Sequence, residues 1–479
     1  TAPEAELHLG DGIFLTTEGN PEHVGADTDS GSEELDGASD IEVVGDYAYI
    51  SSSTDSGVEI MDISDPTSPT HLGSISDDAT TGLSSALNIE VVGNYAYVTS
   101  ANDDALEILD ISDPTSPTHV GVVTDAGSAA LDGATDVAVV GNYAYVVSQL
   151  DSGLAVIDIS DPTNPTHVGS ITDDGTTELA SARAITVVGD YAYIVANGDD
   201  GLEIVDISDP ANPTHVGAIT DDGTTELDGA YDIEVVGKYA YVAAFNDDGV
   251  SILDISDPTN PTHVGAITDD ATTELDGANS IAVAGDYAYV TGQVDDGVSI
   301  IDISDPTNPT HAGAITDNGT TALDGATGIV VVGNYAYVVS DVDDGVEILE
   351  LSGTRAPSAE IGSLLATNVY VDNSVSIAHN ASVHSGLNVG SGGALINGIL
   401  GVAGTSDADI ATIEAQNIAF TNDILVVQSN EEDTGSFNFV RLRSDADGSA
   451  DDELTIDQDG NLTTDGTIIA DVSTQVGSD

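Results

Sequence analysis

Cysteine and tryptophan are absent from the 479 residues, and Lys and Arg together number five against 85 Asp and Glu, a formal net charge of −80. Without cysteine there is no disulfide, thiolate nucleophile, iron–sulfur cluster or zinc–thiolate site, and redox chemistry leaves the compartment open. The scarcity of cations removes the basic face that phosphate recognition needs, which excludes nucleic acid and anionic lipid surfaces as partners. No stretch approaches the roughly 18 uncharged apolar residues of a membrane helix, so no membrane insertion is expected. Aromatic residues are 4%, yet hydrophobic residues reach 40%. That separates the chain from disordered acidic tails and leaves Val, Ile, Leu, Ala and Tyr to build the core. The chain begins Thr1-Ala2-Pro3 rather than with Met, which points to a removed leader and to secretion.

What the sequence does have is a repeat. Tyr-Ala-Tyr begins at Tyr47, Tyr95, Tyr143, Tyr191, Tyr239, Tyr287 and Tyr335, always 48 residues apart. Each copy carries four short alternating segments, in the fifth copy Ile233-Glu-Val-Val236, Tyr239-Ala-Tyr-Val242, Val250-Ser-Ile-Leu-Asp-Ile255 and His263-Val-Gly-Ala-Ile-Thr268. Period-two patterning broken by Gly/Asp and Asp-Pro turns reads as four antiparallel strands, and four strands per 40 to 50 residues is a propeller blade. The fourth strand follows an Asp-Pro turn six times, at His71, His119, His167, His215, His263 and His311, and the seventh copy is His23, ahead of the first Tyr-Ala-Tyr. The expected fold is all-β: a seven-bladed propeller over 1–352, its ring closed by an N-terminal strand.

The run Asp254-Ile-Ser-Asp-Pro-Thr-Asn-Pro-Thr-His-Val-Gly265, with Val187-Val-Gly-Asp-Tyr-Ala-Tyr193, resembles the LVIVD-repeat β-propellers of bacterial and archaeal surface proteins. The resemblance covers about three quarters of the chain. It implies the fold and little about activity, because propellers host enzymes and binding platforms alike.

Strand alternation sorts the loops. The Gly285-Asp286 and Ser256–Pro261 turns share one face. The opposite face collects the Asp-Asp-Gly loops and the long crossovers, which makes it acidic. On that face Asp199, Asp200, Asp221, Asp222, Asp247, Asp248, Asp269 and Asp270 are candidate Ca²⁺ ligands, since Ca²⁺ takes six to eight oxygens from flexible loops. The competing reading is a solvated acidic surface suited to salinity or solubility. The strand histidines fall on outer strands of separate blades, too far apart to share an ion, and the paired tyrosines should pack between blades.

Two positions differ most between copies: Ser39, Leu87, Thr135, Arg183, Tyr231, Asn279 and Thr327 just before the first strand, and Ser53, Ala101, Gln149, Asn197, Phe245, Gln293 and Asp341 just after the second. Both belong to the acidic face. From them Gln149, Arg183, Asn197, Tyr231, Phe245, Gln293 and Asp341 are candidate contacts for a glycan or cationic partner, although exposed loop positions also drift freely. No nucleophile–base pair, unique carboxylate dyad or phosphate-binding glycine loop stands among them, and the carboxylates around the channel read as repeating. A non-enzyme is therefore expected.

After a linker at 353–360, apolar residues recur every six, at Val369, Val375, Ala381 and Leu387 and at Val371, Ile377, Val383, Val389 and Leu395. Residues 361–404 thus read as a β-solenoid or trimeric fibre segment. Residues 405–479 read as a small β module with Asp-Gly turns, similar to phage tail-fibre and fibrous surface-protein modules. Its Asp445, Asp447, Asp451 and Asp452 are further candidate Ca²⁺ ligands, spaced unlike an EF-hand because Gly448 comes early. Asn318, Asn380 and Asn461 lie in glycosylation sequons. Residues 1–17, with Leu7, Leu9, Ile13 and Leu15 in alternation, suit an extra or exchanged edge strand. The expectation is a non-enzymatic, secreted structural protein that polymerises through its tail and terminal strands into a filament, fibre or cell-surface lattice. The alternative is a glycan- or partner-binding adhesin, or a receptor-binding fibre of a virion surface, using the acidic face.

Overall fold

The computed structural model describes residues 20–351 except 30, 32, 79, 126–128 and 271, together with the backbone of three strands at 438–444, 452–457 and 462–464. Seven four-stranded antiparallel sheets follow one another. The first blade consists of Ala38–Val44, Tyr47–Ser52, Gly57–Asp62 and Thr70–Ser76, paired in chain order. The innermost strands neighbour one another in a closed circle, the seventh returning to the first. Among the described residues there is no helix.

Burial follows from position in the blade. Second and third strands are sandwiched by neighbouring blades and are buried almost throughout, while first and fourth strands alternate between core and solvent. Cores lie between blades rather than within them: Tyr97 of the second blade packs with Leu131, Val137, Val146 and Ile157 of the third. This explains the Tyr-Ala-Tyr signature. Its second tyrosine reaches across to the next blade, and its alanine leaves room for the neighbour.

The ring closes as expected, with Glu22–Thr28 pairing antiparallel with Gly345–Glu350. The glycine of each His-Val-Gly has a steric reason. A Cβ at Gly169 would approach the Pro210 carbonyl oxygen of the next blade to 2.5 Å, and one at Gly217 the Pro258 oxygen to 2.5 Å. Each outer strand therefore nests directly on the next blade's Asp-Pro turn. At the seam Asn20 takes over that role, standing 3.0 Å from where a Cβ at Gly313 would lie.

The chain divides into Thr1–Leu365 and Ala366–Asp479. In the second unit Asn438–Ser444, Asp452–Asp457 and Leu462–Thr464 form one antiparallel sheet. The expected linker at 353–360, the six-residue-periodic segment, the terminal edge strand at 1–17 and the side chains of Asp445, Asp447, Asp451 and Asp452 lie outside the described residues, as do Asn380 and Asn461.

Candidate functional site

The channel is lined by the innermost strands, each of which opens with a bulge: in the first blade the register shifts between Ala38 and Asp40. A bulge turns two consecutive side chains to the same side, so Ser39 and Asp40 both face the upper mouth. The variable residues expected just before the first strand are therefore its second residues. All seven, Ser39 through Thr327, line one cavity of about 250 Å³ at the mouth, joined by Ser53, Gln293 and Asp341 from the loops. A lower chamber of about 280 Å³ continues past Glu42, Glu90 and Glu234.

One wall of the mouth is bulky and hydrogen-bonded. The Arg183 guanidinium donates to the Tyr231 hydroxyl and lies 4.0 Å from the Tyr231 ring centroid. The Phe245 ring sits 5.6 Å from Tyr231, tilted by 35°. Asn279 Nδ2 donates to Gln293 Oε1 at 3.3 Å, and Gln293 Nε2 donates to Asp341 Oδ2 at 3.0 Å. Asp341 Oδ1 is buried without a hydrogen-bond partner among the described residues. The structure thus gathers Arg183, Tyr231, Gln293 and Asp341 on the cavity with Phe245 behind Tyr231, while Gln149 and Asn197 are not among the lining residues.

Beneath the mouth stands a tier that sequence comparison missed. The expectation that channel carboxylates merely repeat is corrected: Asp40, Asp136 and Asp232 alternate with Asn88, Ala184, Ser280 and Gly328 at the same repeat position. The signal lay one residue beyond the variable position, in plain view once the bulge is known. Each carboxylate also staples its blade to the next, Asp40 accepting from Ile89 N at 3.1 Å, Asp136 from Ile185 N at 2.7 Å and Asp232 from Ile281 N at 2.8 Å. Burial in the channel wall pushes Asp40 up to about 6, against the pull of the Ile89 and Ile41 amides. Burial likewise raises Asp136 well above the ordinary value and raises Asp232. In the tier below, burial and then the charges of Asp40, Glu90 and Glu234 push Glu42 up to about 8, and burial pushes Glu90 to about 7.

The candidate Ca²⁺ ligands of the upper loops are occupied with turn amides. Asp199 Oδ2 accepts from Ala180 N at 2.7 Å and Asp247 Oδ2 from Asp228 N at 2.8 Å. Asp200 and Asp248 accept from Gly229 N and Gly277 N of the following blades, both at 3.0 Å. Asp221 and Asp269 accept from Thr225 and Thr273 Oγ1, and Asp222 and Asp270 from Thr224 and Thr272 Oγ1. Among the described residues no group of three or more His, Asp or Glu is placed to hold a metal ion.

A second unpredicted feature is a buried acid on the third strand. Glu107 is fully buried; its Oε1 meets His119 Nδ1 at 2.5 Å and its Oε2 accepts from Gly82 N at 3.0 Å. Glu59 with His71, Glu203 with His215 and Glu347 with His23 repeat the arrangement, whereas Ala155, Ser251 and Ser299 stand at that position in the other blades. Burial pushes Glu59 and Glu107 up to about 7 against these hydrogen bonds.

No curated protein matches the chain. Among solved structures, a functionally unknown protein from Desulfotomaculum acetoxidans is similar at TM-score 0.51 and 14% identity, over 64% of this chain and 93% of that one. Virginiamycin B lyase from Staphylococcus aureus is similar at TM-score 0.51 and 10% identity, over 68% of this chain and 98% of that one. A protein from Lactobacillus plantarum is similar at TM-score 0.50 and 15% identity, over 65% and 89%. At such identities the likeness shows the fold alone. The model of the LVIVD repeat matches residues 37–77, 84–125, 133–173, 180–221, 229–269, 277–317 and 325–358, more than half of the chain. The protein therefore belongs to the LVIVD-repeat family of β-propellers.

Proposed function

We propose that the propeller is a non-enzymatic binding module whose upper channel mouth takes a sugar unit of a glycan. The observation that supports this is the gathering on one cavity of the seven variable residues of the first set with Ser53, Gln293 and Asp341 of the second. These residues stand on the innermost strands, with Thr135, Asn279 and Thr327 buried, rather than on the exposed loops where drift is freest. The wall offers donors from Arg183, Asn279 and Gln293, acceptors from Asp341 and Asp232, and the aromatic ring of Tyr231, which Phe245 supports from behind. That mixture suits hydroxyl groups with one apolar ring face. A cavity smaller than the roughly 300 Å³ of an ordinary ligand pocket suits a single ring. A glycan array probed with the full chain and with a Tyr231→Ala/Phe245→Ala variant tests the reading: specific hits lost in the variant support it, and hits that survive, or binding confined to cationic proteins, count against it.

The assembly role expected of the tail stands beside this as a proposal. Its support is the six-residue period of 361–404, which suits stacking between copies. Secretion to a surface where such a polymer displays the mouths outward belongs to the same proposal. Images of the full chain with and without EDTA test both polymerisation and any role of Ca²⁺; single particles under all conditions contradict it.

A further inference from the structure

Three Asn-Gly dipeptides occur in the chain, at Asn197, Asn318 and Asn397, the last outside the described residues. Asn318-Gly319-Thr320 lies exposed on the crossover loop into the seventh blade. At the same repeat position the crossovers into the fourth and fifth blades carry Asp174-Gly175-Thr176 and Asp222-Gly223-Thr224. The turn is built alike with either residue: Thr176 N donates to Asp174 Oδ1 at 2.9 Å, Thr224 N to Asp222 Oδ1 at 3.0 Å and Thr320 N to Asn318 Oδ1 at 3.1 Å. The amide adds nothing to these contacts that a carboxylate lacks. What it brings is a nitrogen that can leave.

We propose that Asn318 is a self-modification site, converted to aspartate and its β-linked isomer through attack by the Gly319 nitrogen. The loop supplies what the reaction needs. Gly319 has no side chain to hinder the approach, and its N–H donates to both Asp317 carboxylate oxygens, at 3.1 and 3.0 Å, which sets a base on the proton that must depart. Asn318 Oδ1 accepts from Thr320 N and from Thr320 Oγ1, two donors placed where negative charge develops as the side-chain carbonyl is attacked. The proton passes from Gly319 N to Asp317, the nitrogen bonds to Asn318 Cγ, and the Cγ–Nδ2 bond breaks as ammonia leaves with that proton. Water then opens the five-membered imide at one or other carbonyl. Asn197 is set differently, because the nitrogen of Gly198 donates to the Ala180 carbonyl at 2.9 Å, a weaker base than a carboxylate. Aspartate at position 318 reproduces the sibling turns, whereas the β-linked isomer lengthens the main chain by a methylene and displaces the Thr320 contacts. The loop runs on to Ala322, whose N–H donates to Glu347 Oε2, and Glu347 pairs with His23 of the ring-closing strand. The change thus marks the blade that closes the ring, and a glycan on the same nitrogen would preclude it.

The full chain incubated at mildly alkaline pH in water enriched in a heavy oxygen isotope, then digested and analysed by mass spectrometry, tests the proposal, since opening of the imide leaves one heavy oxygen in the product. Asn318 should convert to both isomers at least about tenfold faster than Asn197 in the same molecules. Asp317→Asn and Thr320→Ala should each slow Asn318 several-fold with the Asn197 rate unchanged, and Thr320→Ser should restore it. Exposure alone also favours reaction at Asn318, so a rate that both variants leave unaltered overturns the proposal. Equal rates at Asn318 and Asn197, or Asn318 recovered intact or bearing a glycan, overturn it as well.

Discussion

At the scale of residues, Tyr231 and Glu107 make separable predictions. Tyr231 carries Arg183 on its face and Phe245 beside it, so Tyr231→Ala collapses one wall of the mouth without touching an interblade core. Binding of an array-selected glycan should weaken about tenfold or more, the cost of truncating a central aromatic contact, with thermal stability near that of the parent. Glu107→Ala is the converse. It leaves the Gly82 amide without its buried acceptor, at a cost of about 1–3 kcal/mol, read as a lower urea midpoint with ligand binding unchanged. The equivalent position in the third blade, Ala155, carries no carboxylate. A Glu107→Ala variant as stable as the parent contradicts the role given to this acid.

At the scale of elements, the glycine seats decide how blades interlock. Gly217→Ala forces a methyl to within 2.5 Å of the Pro258 carbonyl oxygen, whereas Gly313→Ala meets Asn20 Oδ1 at 3.0 Å, a side-chain atom that has more room to yield. Overpacking against backbone costs about 1–3 kcal/mol, so Gly217→Ala should lower the thermal midpoint distinctly more than Gly313→Ala; equal effects would mean the nesting is looser than described. The elements themselves were legible. Tyr-Ala-Tyr spacing, period-two patterning and the displaced His23 specify blade number, strand order and ring closure, because those depend on local alternation and turn chemistry. The bulge after Ala38 was not legible, since it has no signature residue; without it, Asp40, Asp136 and Asp232 read as outside the mouth. The histidine–glutamate pairs were missed because Glu59, Glu107, Glu203 and Glu347 occupy otherwise apolar strands, where an acid looks like the solvent-facing half of an alternation.

At the scale of the whole molecule, the charge of −80 is unevenly felt. Glu42 at about 8, Glu90, Glu59 and Glu107 at about 7 and Asp40 at about 6 bind protons more tightly when folded than when unfolded. Their protonation therefore contributes stability fully below the ordinary carboxyl range near pH 4 and progressively less as pH rises through about 6 to 8. In low-salt buffer the thermal midpoint should fall from about pH 5 to about pH 8.5, and molar salt, which shortens the Debye length to about 3 Å, should reduce the part due to surface repulsion. A midpoint that rises over that range contradicts the burial of these acids. The same field bears on recognition, because it repels anionic glycans and leaves neutral or amino sugars as the favoured ligands. The account stands or falls on the mouth. Calorimetric titration of an array-selected sugar into the full chain, beside Tyr231→Ala and a lower-face control Asn260→Ala, tests it most directly. One site per chain, lost in Tyr231→Ala and retained in Asn260→Ala, is the predicted result; equal affinity in all three places binding elsewhere and contradicts it.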